Sequence, residues 1–201
     1  MKLLELFCGT KSISKVFQEN GWETTTLDFD PQFNPDICGD ILEQDINGKY
    51  DVIWASPPCT CFSVASIGTH WGGGYRAYEP KTENAKRSLL VVEKTLDIIQ
   101  RIKPKYWFIE NPRGVLRKLP LMDGFPRKTV TYCQYGDNRM KPTDIWTNCK
   151  YWEPRPMCKN GDTCHESAPR GSKTGTQGIK GARDRSVIPR ELAVEILNAV
   201  Y

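Results

Sequence analysis

The chain has 201 residues, with 28 Lys+Arg against 24 Asp+Glu (28 − 24 = +4), 39% hydrophobic residues, 10% aromatic residues and eight cysteines. That length fits one good core plus a small appendage; the composition excludes disordered and collagen-like chains, and no apolar run approaches the roughly 18 residues of a membrane span. The opening MKLLELFCG enters an apolar segment at once and leaves no room for a signal peptide, so the expected location is cytoplasmic, where eight cysteines read as metal-binding or catalytic groups and not as a disulfide framework.

In chain order, Lys2–Phe7 reads as a strand that breaks at Cys8-Gly9-Thr10, and Ser12–Asn20 reads as a helix closed by Gly21. Thr24–Leu27 is a β-branched strand ending at Asp28-Phe29, and Tyr50–Ala55 is a strand closed by Ser56-Pro57-Pro58. The stretch 60–84 is rich in Ser, Gly and Thr, including Gly72-Gly73-Gly74 beside Trp71 and Tyr75; a loop of that length inside a domain is a functional lid or disordered. Leu89, Val92, Leu96, Ile99 and Ile102 recur every three or four positions and predict an amphipathic helix between Asn84 and Lys103. Tyr106–Ile109 is a strand running into Glu110-Asn111-Pro112, with further strands at Thr129–Tyr132 and Ile145–Thr147. Residues 148–187 have little apolar periodicity, and Pro189 stands at the expected first position of a final helix that carries Leu192, Ile196 and Val200 on one face. Strands alternating with helices predict an α/β fold with a doubly wound, mostly parallel sheet. Charge divides unevenly: residues 1–126 hold 15 basic and 16 acidic groups, whereas residues 127–190 hold 13 basic and 6 acidic. A neutral front and a basic back suit a small-molecule site beside a surface that meets polyanions, although basic loops also serve solubility alone.

In open α/β sheets ligands bind beyond the carboxyl ends of the strands. Phe7-Cys8-Gly9-Thr10 lies at such an end, but it has neither a phosphate-binding glycine triplet nor Gly-Lys-Ser/Thr. Asp28 stands where doubly wound nucleoside binders place a carboxylate on ribose hydroxyls, and Phe29 could stack on an adenine. Asp40-Ile41 and Pro57-Pro58-Cys59 occupy two further ends. A nucleoside cofactor without a phosphate cradle points to S-adenosylmethionine, whereas Asp28 alone could be a plain surface carboxylate. Cys59 follows two prolines and is rigidly placed, which suits a nucleophile; the competing reading is a buried small hydrophobe. With Glu110 at the end of the next strand, the pair suits attack on a pyrimidine, the thiol adding to C6 while the acid holds N3.

On ELFCGTKSIS, Asp28-Phe29, Gly39-Asp40-Ile41, SPPCTCFS, ENP and the closing IPRELAVEIL, all in order, the sequence resembles the DNA (cytosine-5) methyltransferases over nearly its whole length. The resemblance implies that Cys59 is the nucleophile, that Glu110 contacts the target cytosine, and that Phe7, Cys8, Gly9, Thr10, Asp28, Phe29, Asp40, Ile41 and Pro58 line the S-adenosylmethionine pocket, with Pro58 also facing the base. It further implies double-stranded DNA as substrate, a flipped-out base, a lid after Cys59, and a monomer. It divides the chain into a catalytic domain, 1–147 with 188–201, and a reduced target recognition insert, 148–187. RNA, including tRNA, as substrate and a non-catalytic nucleic-acid binder are the competing readings.

Three features depart from the family. Lys11 replaces a glycine of the first motif. No Gln-x-Arg-x-Arg segment exists; Arg139 and Lys141, in an expected strand over Gln134–Thr143, are its closest substitutes. The recognition insert is about forty residues, which presents few side chains to the major groove and implies a short or loose target. Within it, Cys149, Cys158, Cys164 and His165 are metal-ligand types inside seventeen residues, but spacings of eight and five and the adjacency of the last two depart from zinc motifs. The expectation is therefore no metal, with zinc at those four residues as the alternative.

Overall fold

A computed structural model describes residues 1–74, 77–166 and 182–201. The elements run β1 (Lys2–Leu6), α1 (Ser12–Glu19), β2 (Glu23–Asp28), β3 (Ile37–Cys38), β4 (Val52–Ala55), α2 (Ile67–His70), β5 (Trp71–Gly72), β6 (Glu79–Pro80), α3 (Glu83–Ile102), β7 (Tyr106–Pro112), β8 (Arg127–Thr131), β9 (Pro142–Thr147), α4 (Ala182–Ser186) and α5 (Arg190–Val200). The main sheet has the order β3-β2-β1-β4-β7-β9-β8. Its first five strands pair in parallel, and β9 runs antiparallel between β7 and β8. The chain thus has the expected α/β, doubly wound, mostly parallel architecture.

Side chains of a strand alternate between faces, and here they build two cores. Leu4, Leu6, Ile53 and Ile109 pack under α3 with Val92, Ile98 and Ile99. Leu3, Trp54 and Phe108 pack on the other face with Val16 and Phe17 of α1 and Leu192, Ile196 and Val200 of α5. The period that predicts α3 matches this burial, and Thr82 caps it by accepting the Ala85 amide at 3.2 Å. Helix α1 ends with Gly21 at φ 79°, the left-handed closure expected of a glycine there. Among the described residues, no helix is long and apolar enough to cross a membrane.

Four local expectations change. Strand β7 does not stop at Ile109; it runs through Glu110-Asn111-Pro112 because β9 pairs with it from Phe108–Thr147 to Pro112–Thr143. The segment Gln134–Lys141 is not a strand: a 3-10 turn, Tyr132–Tyr135, closes at Gly136 with φ 85°, and β9 begins only at Pro142. Pro at the first residue of an interior strand is tolerated because it gives up no ladder bond further in. Pro189 is the N-cap of α5 and not its first helical residue. The stretch after Cys59 is only partly a free loop, since Cys61, Phe62 and Trp71 are buried in the α3 core, with Phe62 and Trp71 stacked 5.8 Å apart. Tyr75 lies outside the described residues. Beyond β9, Cys149 and Trp152 are buried in the α5 core, and Trp152 Nε1 donates to Glu195 at 2.9 Å.

Candidate functional site

The carboxyl ends of β1 and β2 are fixed by carboxylates that accept backbone amides. Glu5 is the one charged residue in an otherwise apolar β1 interior, and its register turns it toward α1. It accepts the amides of Ile13 (3.4 Å) and Ser14 (2.9 Å), supplying the cap that Lys11, the N-cap residue, does not. Burial pushes its carboxyl up to about 7, against the pull of the Ser14 and Ile13 donors. Asp28, buried at the end of β2, accepts Gly9 N at 2.8 Å and Asp30 N at 3.0 Å, so the loop after β1 is tied to the loop after β2. Two of its roughly four acceptor positions are used. Beside it the Phe29 ring is 71% exposed. A carboxylate with acceptor capacity left, next to an open aromatic face, fits the ribose and adenine of a nucleoside.

The remaining residues expected around a cofactor are distributed as follows. Phe7 and Gly9 have φ of 58° and 46°, so the turn Phe7–Thr10 is held in left-handed geometry. Lys11 shares it at φ 57°, where the family carries a glycine, and Lys11 Nζ reaches the Asn34 carbonyl in the next loop. Thr10 and Ser12 hydroxyls pair at 2.9 Å and open onto a cleft of about 890 Å³ between α1 and the start of α5. Asp40 accepts Leu42 N at 3.1 Å and pairs with Arg87 of α3, while Ile41 is buried in the core. Cys8 is also buried, and burial first, then Glu5 and Asp28, pushes its thiol up to about 12; a thiol so placed stays protonated and is no nucleophile.

Cys59 sits on the loop beyond β4 and is exposed. Its carbonyl accepts the amides of Phe62 and Ser63, both at 3.0 Å, which makes the loop a tight turn. Two contacts pin that turn to β7 and its sequel. Asn111 Nδ2 donates to the Pro57 carbonyl at 2.9 Å. Val115 N donates to the Phe62 carbonyl at 2.7 Å, and a Cβ at Gly114 would lie 2.0 Å from that oxygen, so only glycine permits this approach. Glu110 is buried and accepts the Tyr132 hydroxyl at 2.9 Å. Burial, then Glu110, raises the Tyr132 phenol well above its usual range, so it remains a donor.

Lys141 completes this group. Its backbone has φ 29°, and its ammonium lies 4.5 Å from the Tyr132 ring centroid. Burial lowers its pKa, opposed by the charges of Glu110 and Cys59, which both act on it. The structure therefore gathers Cys59, Glu110 and Lys141 at one end of the sheet. Arg139 comes near but is committed elsewhere: its Nε donates to both Asp137 oxygens (2.7 and 2.9 Å) and its Nη1 to the Asp184 carbonyl at 3.1 Å. Tyr132, Asn111 and Gly114 carry this arrangement; the sequence shows Asn111 only as part of ENP and Tyr132 only as a strand end, because the role of each is set by a residue far along the chain.

The sequence leads to no metal, with zinc at Cys149, Cys158, Cys164 and His165 as the alternative, and the geometry changes that alternative set at one position. Cys149 is buried in the α5 core, where its thiol faces the Ala199 carbonyl. Cys133, in the 3-10 turn, joins Cys158, Cys164 and His165 instead, their ligand atoms lying within 4.8 Å of one another.

Comparison with known proteins agrees with this geometry. The family described as C-5 cytosine-specific DNA methylase matches residues 1–119. A "Probable DNA (cytosine-5)-methyltransferase" of Frog virus 3 (isolate Goorha) is 30% identical over 214 residues, covering 98% of this chain and 99% of the relative. A solved putative DNA modification methyltransferase encoded within an E. coli prophage superposes with TM-score 0.50 at 12% identity, over 79% of this chain and 52% of its own. The Entamoeba histolytica methyltransferase EhMeth gives 0.48 at 11% identity, over 73% and 52%. The chain spans about half the length of these solved structures.

Proposed function

The chain belongs to the C-5 cytosine-specific DNA methylase family, and from that premise we propose that it transfers a methyl group from S-adenosylmethionine to C5 of cytosine in DNA through a covalent Cys59 adduct. The observation that carries this reading is the convergence of Cys59, Glu110 and Lys141, with Glu110 held by Tyr132 and the Cys59 turn held by Asn111. Asp28 and Phe29 would hold the nucleoside of the cofactor, and Phe7–Thr10, Asp40, Ile41 and Pro58 the rest of its pocket.

C5 of cytosine is a weak nucleophile inside an aromatic ring. Cys59, as thiolate, forms a bond to C6 while Glu110 holds a proton at N3; the ring loses aromaticity and C5 becomes enamine-like. The Lys141 ammonium favours the thiolate beforehand. S-adenosylmethionine, when bound, would supply the electrophilic methyl that C5 accepts, its S–CH3 bond breaking as the sulfonium leaves as a neutral thioether. Loss of the C5 proton to a base then expels Cys59 by elimination, restoring the thiolate and the aromatic ring. None of these atoms is reachable in a stacked duplex, so the base is flipped out. The reading carries with it double-stranded DNA as partner, a monomeric enzyme and a cytoplasmic site of action. The basic balance of residues 127–190 supports a polyanionic substrate.

Bisulfite sequencing of DNA from cells expressing the chain is the test. The expected result is 5-methylcytosine in a short sequence context, lost with Cys59→Ser while isothermal titration still shows S-adenosylmethionine binding. Near-wild-type methylation by Cys59→Ser would overturn the role of Cys59, and methylation found on RNA but not DNA would overturn the substrate.

A further inference from the structure

We propose that Cys133, Cys158, Cys164 and His165 bind a structural zinc ion that fastens the loop 158–166 onto the 3-10 turn beside Glu110. The four ligand atoms already mark the corners of a small polyhedron. Cys133 Sγ lies 3.1 Å from Cys158 Sγ and 3.7 Å from Cys164 Sγ, and His165 Nδ1 lies 3.7 Å from Cys158 Sγ and 3.5 Å from Cys164 Sγ. Zinc–sulfur bonds of about 2.3 Å and zinc–nitrogen bonds of about 2.0–2.1 Å in a tetrahedron require S···S edges near 3.8 Å and S···N edges near 3.6 Å. Three of these four edges are within about a tenth of an ångström of that geometry; binding would open the close sulfur pair and leave the remaining two edges, each no longer than 4.8 Å, to settle on the ion.

The ligand chemistry selects the ion. Three thiolates and an imidazole suit zinc, whereas calcium and magnesium require oxygen ligands. All four positions are filled by protein, so the site is of the closed, structural kind and leaves no place for a substrate. His165 turns Nδ1 to two sulfurs, while its Nε2 is buried without a partner among the described residues, so the sulfur cluster is what orients the ring.

The surrounding chain is shaped to deliver these ligands. Between Cys158 and Cys164 the backbone makes a turn: Asp162 N donates to the Lys159 carbonyl (3.1 Å), Lys159 N donates to the Asp162 carboxylate (2.7 Å), and Gly161 has φ 97°. The turn folds the loop back so that the adjacent pair Cys164-His165 reaches one point, which its spacing alone did not suggest. Cys158 N donates to Thr131 Oγ1 at 3.1 Å, and Glu166 N to the Asn138 carbonyl at 2.9 Å, which fixes both ends of the loop against the same wall. Residues 153–166 contain neither helix nor strand and have no core of their own, the situation in which small segments take a metal staple. Cys133 directly follows Tyr132, the donor to Glu110, so the ion would brace both the candidate active site and the entry to the basic stretch Arg170–Lys180.

The test does not depend on methyl transfer. Untagged full-length protein, grown with added zinc and purified without chelator, is analysed for metal by mass spectrometry. The expected content is about one zinc per chain, lost in Cys164→Ser, whose position is exposed and tolerant, and retained in Cys149→Ala. Cobalt loading of the wild type is expected to give thiolate-to-cobalt charge-transfer absorption, absent in Cys164→Ser. Substoichiometric zinc in the wild type, full zinc in both Cys164→Ser and Cys133→Ser, or a Cys133–Cys158 disulfide in protein held at a cytosolic glutathione poise would each overturn the proposal.

Discussion

The two halves of the sheet fix their loops with a different balance of contacts. On the parallel side every one of these acids accepts a backbone amide, Glu5 from Ser14, Asp28 from Gly9, Asp36 from Thr26 and Asp40 from Leu42, and the side-chain donors that join them are the Ser14 and Thr26 hydroxyls and Arg87. On the antiparallel side, acids pair mainly with other side chains: Glu110 with Tyr132, Asp144 with Arg117 and Thr129, and Asp137 with the Arg139 guanidinium as well as its amide. An amide donor moves only with the main chain, so the parallel side holds the shape of a loop. A side-chain donor brings its own charge and rotamer, so the antiparallel side also sets the electrostatics of what lies beside it. The first arrangement suits a pocket for a nucleoside, and the second suits a centre where protons and charge move.

The difference can be probed by single substitutions. The largest effect is expected from Glu110→Gln: kcat falls about 10²- to 10⁴-fold, while the melting midpoint moves little because the amide oxygen still accepts Tyr132. A fall of less than about tenfold would remove Glu110 from the chemistry. Next comes Asp144→Asn. Asp144 is fully buried, and Arg117, 17% exposed in its side chain, donates to it at 2.6 Å; losing the counter-charge is expected to cost about 3 kcal/mol in urea unfolding with S-adenosylmethionine affinity unchanged. A loss of affinity would show that the two sides are not independent. On the parallel side, Asp28→Asn is expected to weaken cofactor binding about tenfold, roughly 1.4 kcal/mol, with kcat at saturation nearly unchanged; calorimetry and saturation kinetics separate the two.

The smallest change is a shift in pH profile. Burial lowers Lys141, so its ammonium is lost at a lower pH than that of an ordinary lysine. Activity that needs the cation therefore falls as pH rises through that lowered value. Lys141→Arg keeps its charge, and the alkaline limb of kcat/KM is expected to move to higher pH; an unmoved limb would assign that limb to another group.

The parallel half was also the more legible in the sequence. Its strands are apolar runs, its helices have clear periods, and Asp28 lies directly after a strand, where the fold places ligand carboxylates. Some of its amide-to-carboxylate ties are local, as with Asp40 to Leu42, whereas Asp28 to Gly9 joins residues nineteen apart. The antiparallel half hid its structure. Gly136-Asp137-Asn138 is turn composition, yet the resemblance places there the strand of the family's Gln-x-Arg-x-Arg segment, and that expectation conflicts with the local turn signal. Cys133 was passed over for Cys149 because the contact that matters, Cys133 to Cys158, joins residues brought together by a turn that no periodicity announces. Lys141 is legible only through the resemblance, Asn111 only as part of ENP and Tyr132 only as a strand end, since the roles of Tyr132 and Asn111 depend on partners 22 and 54 positions away.

The pairing of α1 with α5 has a consequence for how the molecule is made. Val16 and Phe17 are synthesised long before Leu192 and Ile196, the side chains that cover them about 175 positions further along the chain. The Ser12 hydroxyl accepts the Ile188 amide at 3.2 Å, and Arg190 Nη1 meets Glu19 at 3.2 Å. On the ribosome, α1 and its face of β1 must wait with apolar surface uncovered until α5 has emerged. Contacts of such sequence separation fold slowly, and the interval is one in which the nascent chain is open to aggregation. The α3 face draws most of its strands and its helix from before residue 113, with Val115–Met122 and Trp146 of β9 added later, so it can close well ahead of α5 and leaves a half-built sheet with one side covered and the other still wet.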